Sequence, residues 1–370
     1  MSFTRRQILR SAATVSGAAA LPALGAFGTP GAQATPTLPA LGPVPSRGAF
    51  VILLGTAAGP VPMDGRTGIA TALVVDGRVY LIDMGHGSFD QFQKSGLEIA
   101  DVDRIFVTHL HSDHLADLYS LLWLRFGGVD SMTHVIDIHG PGPAGALPRS
   151  STGKTVATVS PSNPTPGLAD YFANSIAATA YDINIRMRDE GWPDIRDLFR
   201  VHEIALPDVG ADPTGSLAPP MKPFVVHSDD RVSVTAILVQ HPPVFPSFAF
   251  RFDTDYGSVV FSGDTTITPN MITLSKKADI LVHEAIDLTA VQTFGNLNQS
   301  QLQHHRESHS DVRLIGSRVA QPAGVKTLVL SHLAPGTKAL PDLTWKAQAS
   351  LGFSGQVIVG NDLQRIALTR

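Results

Sequence analysis

The sequence predicts a mixed α/β fold in which sheets are covered by helices, and three observations carry that expectation. Short apolar runs bounded by turn residues recur along the chain, segments of helical periodicity fall between them, and TALVVDGRVYLID joins two runs through the two-residue turn Asp76-Gly77. Strands alternating with helices, with direct hairpins among them, call for layers around a shared core. With 370 residues, 43% hydrophobic and 16% charged, the chain can bury such a core.

The elements follow in order. Residues 1–34 place Arg5-Arg6 ahead of a mild Ala- and Gly-rich apolar run and end on the small-residue stretch Ala32-Gln33-Ala34, which reads as a twin-arginine export signal cleaved near Ala34. Gly17, Pro22, Gly25, Gly28 and Pro30 interrupt the run and argue against a stable membrane anchor. The expected location is periplasmic or secreted. The absence of cysteine fits export without disulfide formation and leaves His, Asp and Glu as the metal ligands. Residues 35–47 form a Pro-rich linker, and the folded domain is expected over 48–370. Loss of the leader with Arg5, Arg6 and Arg10 would take the formal charge from −4 to −7. No run of Lys or Arg offers a polyanion footprint, so the expected partner is a small-molecule substrate and not a nucleic acid. A homodimer is the one protein partner considered.

Strands are expected at AFVILL from Ala49, then at TALVV and RVYLID, RIFVTHL, HVIDIHG, RVSVTAILVQH, SVVFSGD, ADILVHEA, KTLVLSHL and GQVIVGND. Helices are expected over His114 to Phe126 and Asp311 to Ala320. The insertion 141–223 is rich in Pro, Ser, Gly and Thr, with one helix-like piece, LADYFANSIAATAYDIN, and reads either as a cap over a site or as a surface excursion. Gly153-Lys154-Thr155 is no phosphate loop, because Pro148 stands where its first glycine is required. GTAAGPVP, from Gly55 to Pro62, is a glycine turn without a nucleotide-binding lysine.

The chemistry gathers in FVTHLHSDHLADL, residues 106–118. His109 and His111, two apart on extended chain, point to one side, and Asp113 and His114 fall at the turn into a helix. Ser112 and Asp113 could also serve as helix caps. Three histidines so close each need a separate hydrogen-bond partner in a core, whereas as metal ligands they share one ion. A metal site needs further ligands downstream, and His241, Asp264 and His332 each follow an apolar run at a strand end.

The motif His109-x-His111-x-Asp113-His114 resembles the signature of the metallo-β-lactamase superfamily. Leu81-Ile82-Asp83-Met84-Gly85-His86-Gly87, Ser262-Gly263-Asp264-Thr265, His283-Glu284-Ala285 and Leu330-Ser331-His332 follow in that superfamily's order. The branch holding ribonuclease Z and the bacterial arylsulfatases of this fold is the most similar, through LLGTAAGPVP, Arg66, SGDT and the last histidine. The resemblance implies an αββα sandwich with two divalent metal ions, zinc by preference. It implies that His109, His111 and His241 hold the first ion, Asp113, His114 and His332 the second, and that Asp264 bridges them. It further implies that His309, in His309-Ser310, assists the leaving group, with His304 and His305 as neighbours competing for that role. Asp83 would orient a ligand histidine. His283 and Glu284 are read as supporting or core residues, and His86, His134, His139, His202 and His227 as ordinary histidines.

From these residues the expected activity is metal-dependent hydrolysis. The metals would generate hydroxide near neutral pH, Asp113 would act within the metal centre, and His309 would be the general acid. The expected substrate is an ester-like bond of a small molecule, arylsulfatase-like or phosphodiesterase-like, with a secreted β-lactamase, a lactonase and a non-catalytic metal-binding protein as alternatives. Ribonuclease Z itself is set aside because only residues 242–263 separate His241 from Asp264, where that enzyme carries a long tRNA-binding arm. Pro62-Met63-Asp64-Gly65-Arg66-Thr67 also lacks the lysine and asparagine of its Pro-x-Lys-x-Arg-Asn-type loop.

Overall fold

Two seven-stranded sheets pack against each other and carry helices on their outer faces in a computed structural model describing residues 44–150, 153–295, 297–337 and 339–369. The export leader and most of the linker lie outside the described residues; no described helix is long and apolar enough to cross a membrane. In chain order, the strands are β1 (Ala49–Gly55), β2 (Ala70–Val75), β3 (Arg78–Met84), β4 (Val102–Phe106), β5 (Ile136–Gly140), β6 (Phe199–Glu203), β7 (Phe224–Ser228), β8 (Val232–Leu238), β9 (Phe248–Thr254), β10 (Gly257–Phe261), β11 (Ile280–Ile286), β12 (Thr327–Ala334), β13 (Gln356–Val359) and β14 (Gln364–Leu368). The first sheet runs β14-β1-β2-β3-β4-β5-β6 and the second β13-β12-β11-β10-β9-β8-β7.

Both faces of each sheet are buried, and β1 shows how. Ala49, Val51 and Leu53 enter the core between the sheets, while Phe50, Ile52 and Leu54 pack under the outer helices. Helices α1 (Ser88–Lys94), α2 (Ser112–Leu115), α3 (Leu118–Trp123) and α4 (Leu168–Asp189) cover the first sheet. Of α5 (Pro269–Leu274), α6 (Leu288–Gly295), α7 (Gln299–Ser308), α8 (Val312–Ile315), α9 (Gln321–Ala323) and α10 (Asp342–Ala349), the first and the last three cover the second sheet. The layers are therefore α, β, β, α, as the resemblance implies.

Several local expectations need correction. The hairpin turn at Asp76-Gly77 is present, with both residues at positive φ. The strand expected to run to Leu110 ends at Phe106, because the Thr108 amide donates to Asp83 Oδ1 and the Thr108 carbonyl accepts from Phe248 N of the other sheet. The helix expected from His114 breaks after Leu115, where the Asp117 amide donates to the Met84 carbonyl instead of continuing the helical ladder. Strands β6, β7, β9 and β14 are additional to the sequence reading. The insertion 141–223 is built into the first sheet and its helical layer: β6 pairs with β5, and α4 buries Phe172 and Ile183. Trp123 donates to Asp182 at 3.0 Å, tying α4 to α3.

Candidate metal centre

Two β-bulges aim side chains at the same point. Between Ala70 and Thr71 the β2 register jumps from Met84 to Ile82, leaving Asp83 unpaired at φ 55°. Between Glu284 and Ala285 the β11 register jumps from Ser331 to Leu333, leaving His332 unpaired at φ 43°. An extra residue in one strand turns its side chain out of the ladder, and here one bulge in each sheet faces the histidine loop. Left-handed backbone at non-glycine residues costs energy and collects at functional sites.

All seven sequence-predicted ligands come together. His109 Nε2 lies 3.0 Å from His111 Nδ1, and His241 Nε2 lies 3.2 Å from the same His111 atom. His109 Nε2 and His241 Nε2 are 3.9 and 3.7 Å from Asp264 Oδ2. On the other side, His114 Nε2 and His332 Nε2 lie 3.4 and 3.3 Å from Asp264 Oδ1, and His332 Nε2 lies 3.4 Å from Asp113 Oδ2. The donor atoms of His109, His111, His241 and Asp264, and separately those of Asp113, His114 and His332, lie within 4.8 Å of one another. His109, His114, His241, Asp264 and His332 are buried, and His111 and Asp113 half-buried.

Supporting residues fix the rings. Asp83 Oδ2 meets His114 Nδ1 at 2.8 Å and accepts from Thr108 Oγ1 at 2.8 Å; the Ser308 carbonyl meets His241 Nδ1 at 2.8 Å. Each leaves Nε2 turned inward, the arrangement that fixes a ligand tautomer. Asp113 Oδ2 also accepts from Gly59 N at 3.1 Å, which brings GTAAGPVP to the rim. A Cβ on Gly59 would stand 2.2 Å from Asp113 Cβ, so only glycine permits that approach. Arg66 does not reach the site. It is buried, donating to Thr56 Oγ1, the Gly360 carbonyl and Asp342, and so braces this loop.

The electrostatics suit a cation. Burial pushes His109 well below its ordinary value and His241 down to about 3, so both present neutral nitrogens. His114 is pulled the other way: burial opposes its charge, yet Asp264 and Asp83 hold it well above the ordinary value. Those carboxylates call for positive charge in the pocket. His114 Nε2 and Asp264 Oδ1 are buried without a hydrogen-bond partner, which fits donors that a metal ion satisfies. The nitrogen and oxygen donor set therefore fits divalent metal.

His309 follows α7, with Nδ1 3.1 Å from Glu284 Oε1 and 3.9 Å from Asp264 Oδ2. Burial disfavours its charge, but Glu284 and then Asp264 raise it to about 9. Glu284 also accepts from Thr265 N, the residue after Asp264, at 2.9 Å. The sequence reading placed Glu284 among supporting or core residues without identifying its partner; its position in the apolar strand ADILVHEA, where a carboxylate needs a buried partner, was the available signal. His305 lies beside His309, its ring centre 5.8 Å away, and His304 sits farther out on the exposed face of α7.

Comparison with known proteins places this geometry. Residues 64–315 match the family model described as the metallo-beta-lactamase superfamily. The ribonuclease Z of Mycobacterium avium (strain 104) is 31% identical over 307 residues, covering 81% of this chain and 92% of that protein. The ribonuclease Z of Mycolicibacterium paratuberculosis is also 31% identical over the same shares. Among solved structures, human tRNase Z, short form, matches with a TM-score of 0.58 and 22% identity over 87% of this chain and all of that one. The metallo-beta-lactamase fold protein YhfI from Bacillus subtilis matches with a TM-score of 0.55 and 17% identity, over 86% and 98%.

These relatives correct the sequence reading of function. The expected exported, arylsulfatase-like or phosphodiesterase-like enzyme for small substrates is overturned by kinship with proteins named ribonuclease Z, and the β-lactamase, lactonase and non-catalytic alternatives find no support there. The exclusion of nucleic acid falls with it. It rested on the lack of a Lys or Arg run and on net charge, which say little about one catalytic cleft, on the short span between His241 and Asp264, and on the incomplete loop from Pro62 to Thr67. The export-signal and periplasmic readings conflict with the same kinship. The retained Arg66 is explained by its buried bracing role. From the family model, the extent of the match and the assembled ligand groups, the chain belongs to the metallo-β-lactamase superfamily, in its ribonuclease Z family, and is a metal-dependent hydrolase.

Proposed function

We propose that the chain hydrolyses phosphodiester bonds of RNA at a centre of two zinc ions. The observation that carries the two-ion reading is Asp264, whose Oδ2 faces His109 and His241 while its Oδ1 faces His114 and His332. On this reading His109, His111 and His241 would hold one ion and Asp113, His114 and His332 the other, with Asp264, whose two oxygens face both groups, available to each. Imidazole and carboxylate donors without thiolate suit zinc. RNA as substrate is supported by the relatives named ribonuclease Z.

Two bound divalent ions supply a water acidic enough to ionise near neutral pH and a Lewis acid for a phosphoryl oxygen. The protein's own groups do the rest. Asp83, Thr108 and the Ser308 carbonyl hold the ligand rings in one tautomer. With Nδ1 engaged by Glu284, His309 has Nε2 left to carry a proton to the departing ribose oxygen. Its raised pKa keeps that proton available at neutral pH.

The test is cleavage of an end-labelled RNA transcript by the zinc-loaded full chain, with elemental analysis for two zinc ions per chain. Cleavage lost in Asp264→Asn is expected. Intact RNA after incubation with protein that carries its full zinc complement would overturn the proposal.

A further inference from the structure

We infer that His305 and His304 pass protons between His309 and solvent, so that the imidazole proposed as proton donor is served through the protein itself. This rests on the ribonuclease reading and extends it to two residues that touch no substrate. Four histidine rings stand in a row leading outward from the metal centre. Ring centres are 5.9 Å apart from His332 to His309, 5.8 Å from His309 to His305 and 5.7 Å from His305 to His304. Along the row the residues pass from buried His332, through half-buried His309 and His305, to exposed His304.

Helix α7 builds the outer part of the row. His305 and His309 are four residues apart, and the His309 amide donates to the His305 carbonyl at 3.1 Å, which keeps the two side chains neighbours at the helix end. His304 Nδ1 lies 3.3 Å from Ser308 Oγ, so that ring is held as well. His305 Nδ1 is buried without a hydrogen-bond partner among the described residues. Such a nitrogen is free to exchange a proton with His309, and rings at this spacing are joined by a small rotation or by one water. Burial, then His309 and His304, push His305 down to about 4. The ring is therefore neutral, with one N–H to give and one bare nitrogen to receive, and it hands a proton on without keeping it.

Hydrolysis of a phosphodiester makes this traffic necessary. The bond from phosphorus to the ribose oxygen breaks, a bond from phosphorus to the water oxygen forms, and the ribose oxygen leaves with the His309 proton. Of the two water protons, one restores the His309 charge state and the other is released, because the monoester product ionises a second time at about pH 6. His309 meets His241 and His332 on the metal side, where RNA would sit, and His305 is its ring neighbour toward solvent. The row thus gives His309 an exchange route that bound RNA leaves open.

The experiment uses the zinc-loaded full chain labelled with nitrogen-15 histidine. Exchange of the His309 ring N–H with water, read by magnetisation transfer in NMR and assigned through His309→Ala, should slow in His305→Phe. It should slow as much in His305→Gln, whose amide can hydrogen-bond but cannot take up and release a proton near neutral pH. In dilute buffer, kcat for cleavage of end-labelled RNA should fall by about 10²-fold in both variants with KM unchanged, and added imidazole should restore it. A full zinc complement reports that each variant is folded. Exchange as fast in both variants as in the parent, or a kcat that imidazole raises in neither, overturns the relay. A zinc-loaded parent that leaves RNA intact overturns the ribonuclease reading beneath it, a separate result, and the exchange rates then decide the relay alone.

Discussion

Buried Glu284 and half-buried His309 form an acid–imidazole pair, Oε1 to Nδ1 at 3.1 Å, beside the candidate metal ligands. The pair joins β11 to the end of α7 and links the carboxylate that holds the Asp264 turn to the imidazole proposed as proton donor.

That relationship predicts a pH profile. A general acid works while protonated, so activity should persist below the His309 value of about 9 and fall as pH rises through it. Removing the Glu284 charge in Glu284→Gln should move this alkaline limb to lower pH, measured as kcat against pH with metal content held constant. His309→Ala should lower kcat by roughly 10²- to 10⁴-fold. An unmoved alkaline limb in Glu284→Gln would remove Glu284 from this role.

Asp83→Ala should weaken metal binding roughly 10- to 100-fold, because it frees the His114 ring and strands the Thr108 amide and hydroxyl. Competition with a chromogenic chelator measures this directly. Unchanged affinity would mean that the His114 ring is held by other contacts.

A second histidine cluster predicts acid sensitivity away from the metal. His139 stacks between Phe106 and His202, with ring centres 5.1 and 4.8 Å away, and faces His227. Burial, then His202 and His227, push it down to about 3. The unfolded chain takes up this proton near pH 6.5 and the folded one only near 3, so stability rises with pH across that window. On acidification, loss begins below pH 6.5 and reaches on the order of 2 kcal/mol by pH 5. Urea unfolding of His139→Phe should show a flatter dependence than the parent between pH 7 and 5.

Arg66→Lys should destabilise the fold by about 1–3 kcal/mol, since an ammonium cannot serve Thr56, the Gly360 carbonyl and Asp342 together. Thr56 in turn accepts the Leu333 amide through its carbonyl, so the effect should extend to His332 as weaker metal retention. Thermal unfolding with and without zinc separates the two parts.

The candidate ligands could be singled out in sequence by two contrasts: His109, His111, Asp113 and His114 by their crowding into six positions, and His241, Asp264 and His332 by closing apolar runs, where a polar residue is conspicuous. The polar–apolar pattern carries no comparable mark for the carbonyl of Ser308 or for the break at Asp117, since both depend on where one backbone amide or carbonyl finds its partner. Strands β6 and β7 were hidden for another reason. FRVHE and FVVHS lie at the edges of the two sheets and mix polar with apolar residues inside a Pro-rich stretch. The substrate was misread because whole-chain charge and loop length are remote from the few side chains that touch a substrate.

The bulged backbone of Asp83 and His332 sets function against stability. Each L-residue holds a left-handed conformation that glycine adopts without strain, at a typical cost of about 1–3 kcal/mol per site. Replacing either by glycine would relax the backbone while deleting a group the centre uses, so a screen for metal-free thermostability would drift toward inactive protein. The two sheets thus carry a built-in trade-off, which only selection for activity keeps in place.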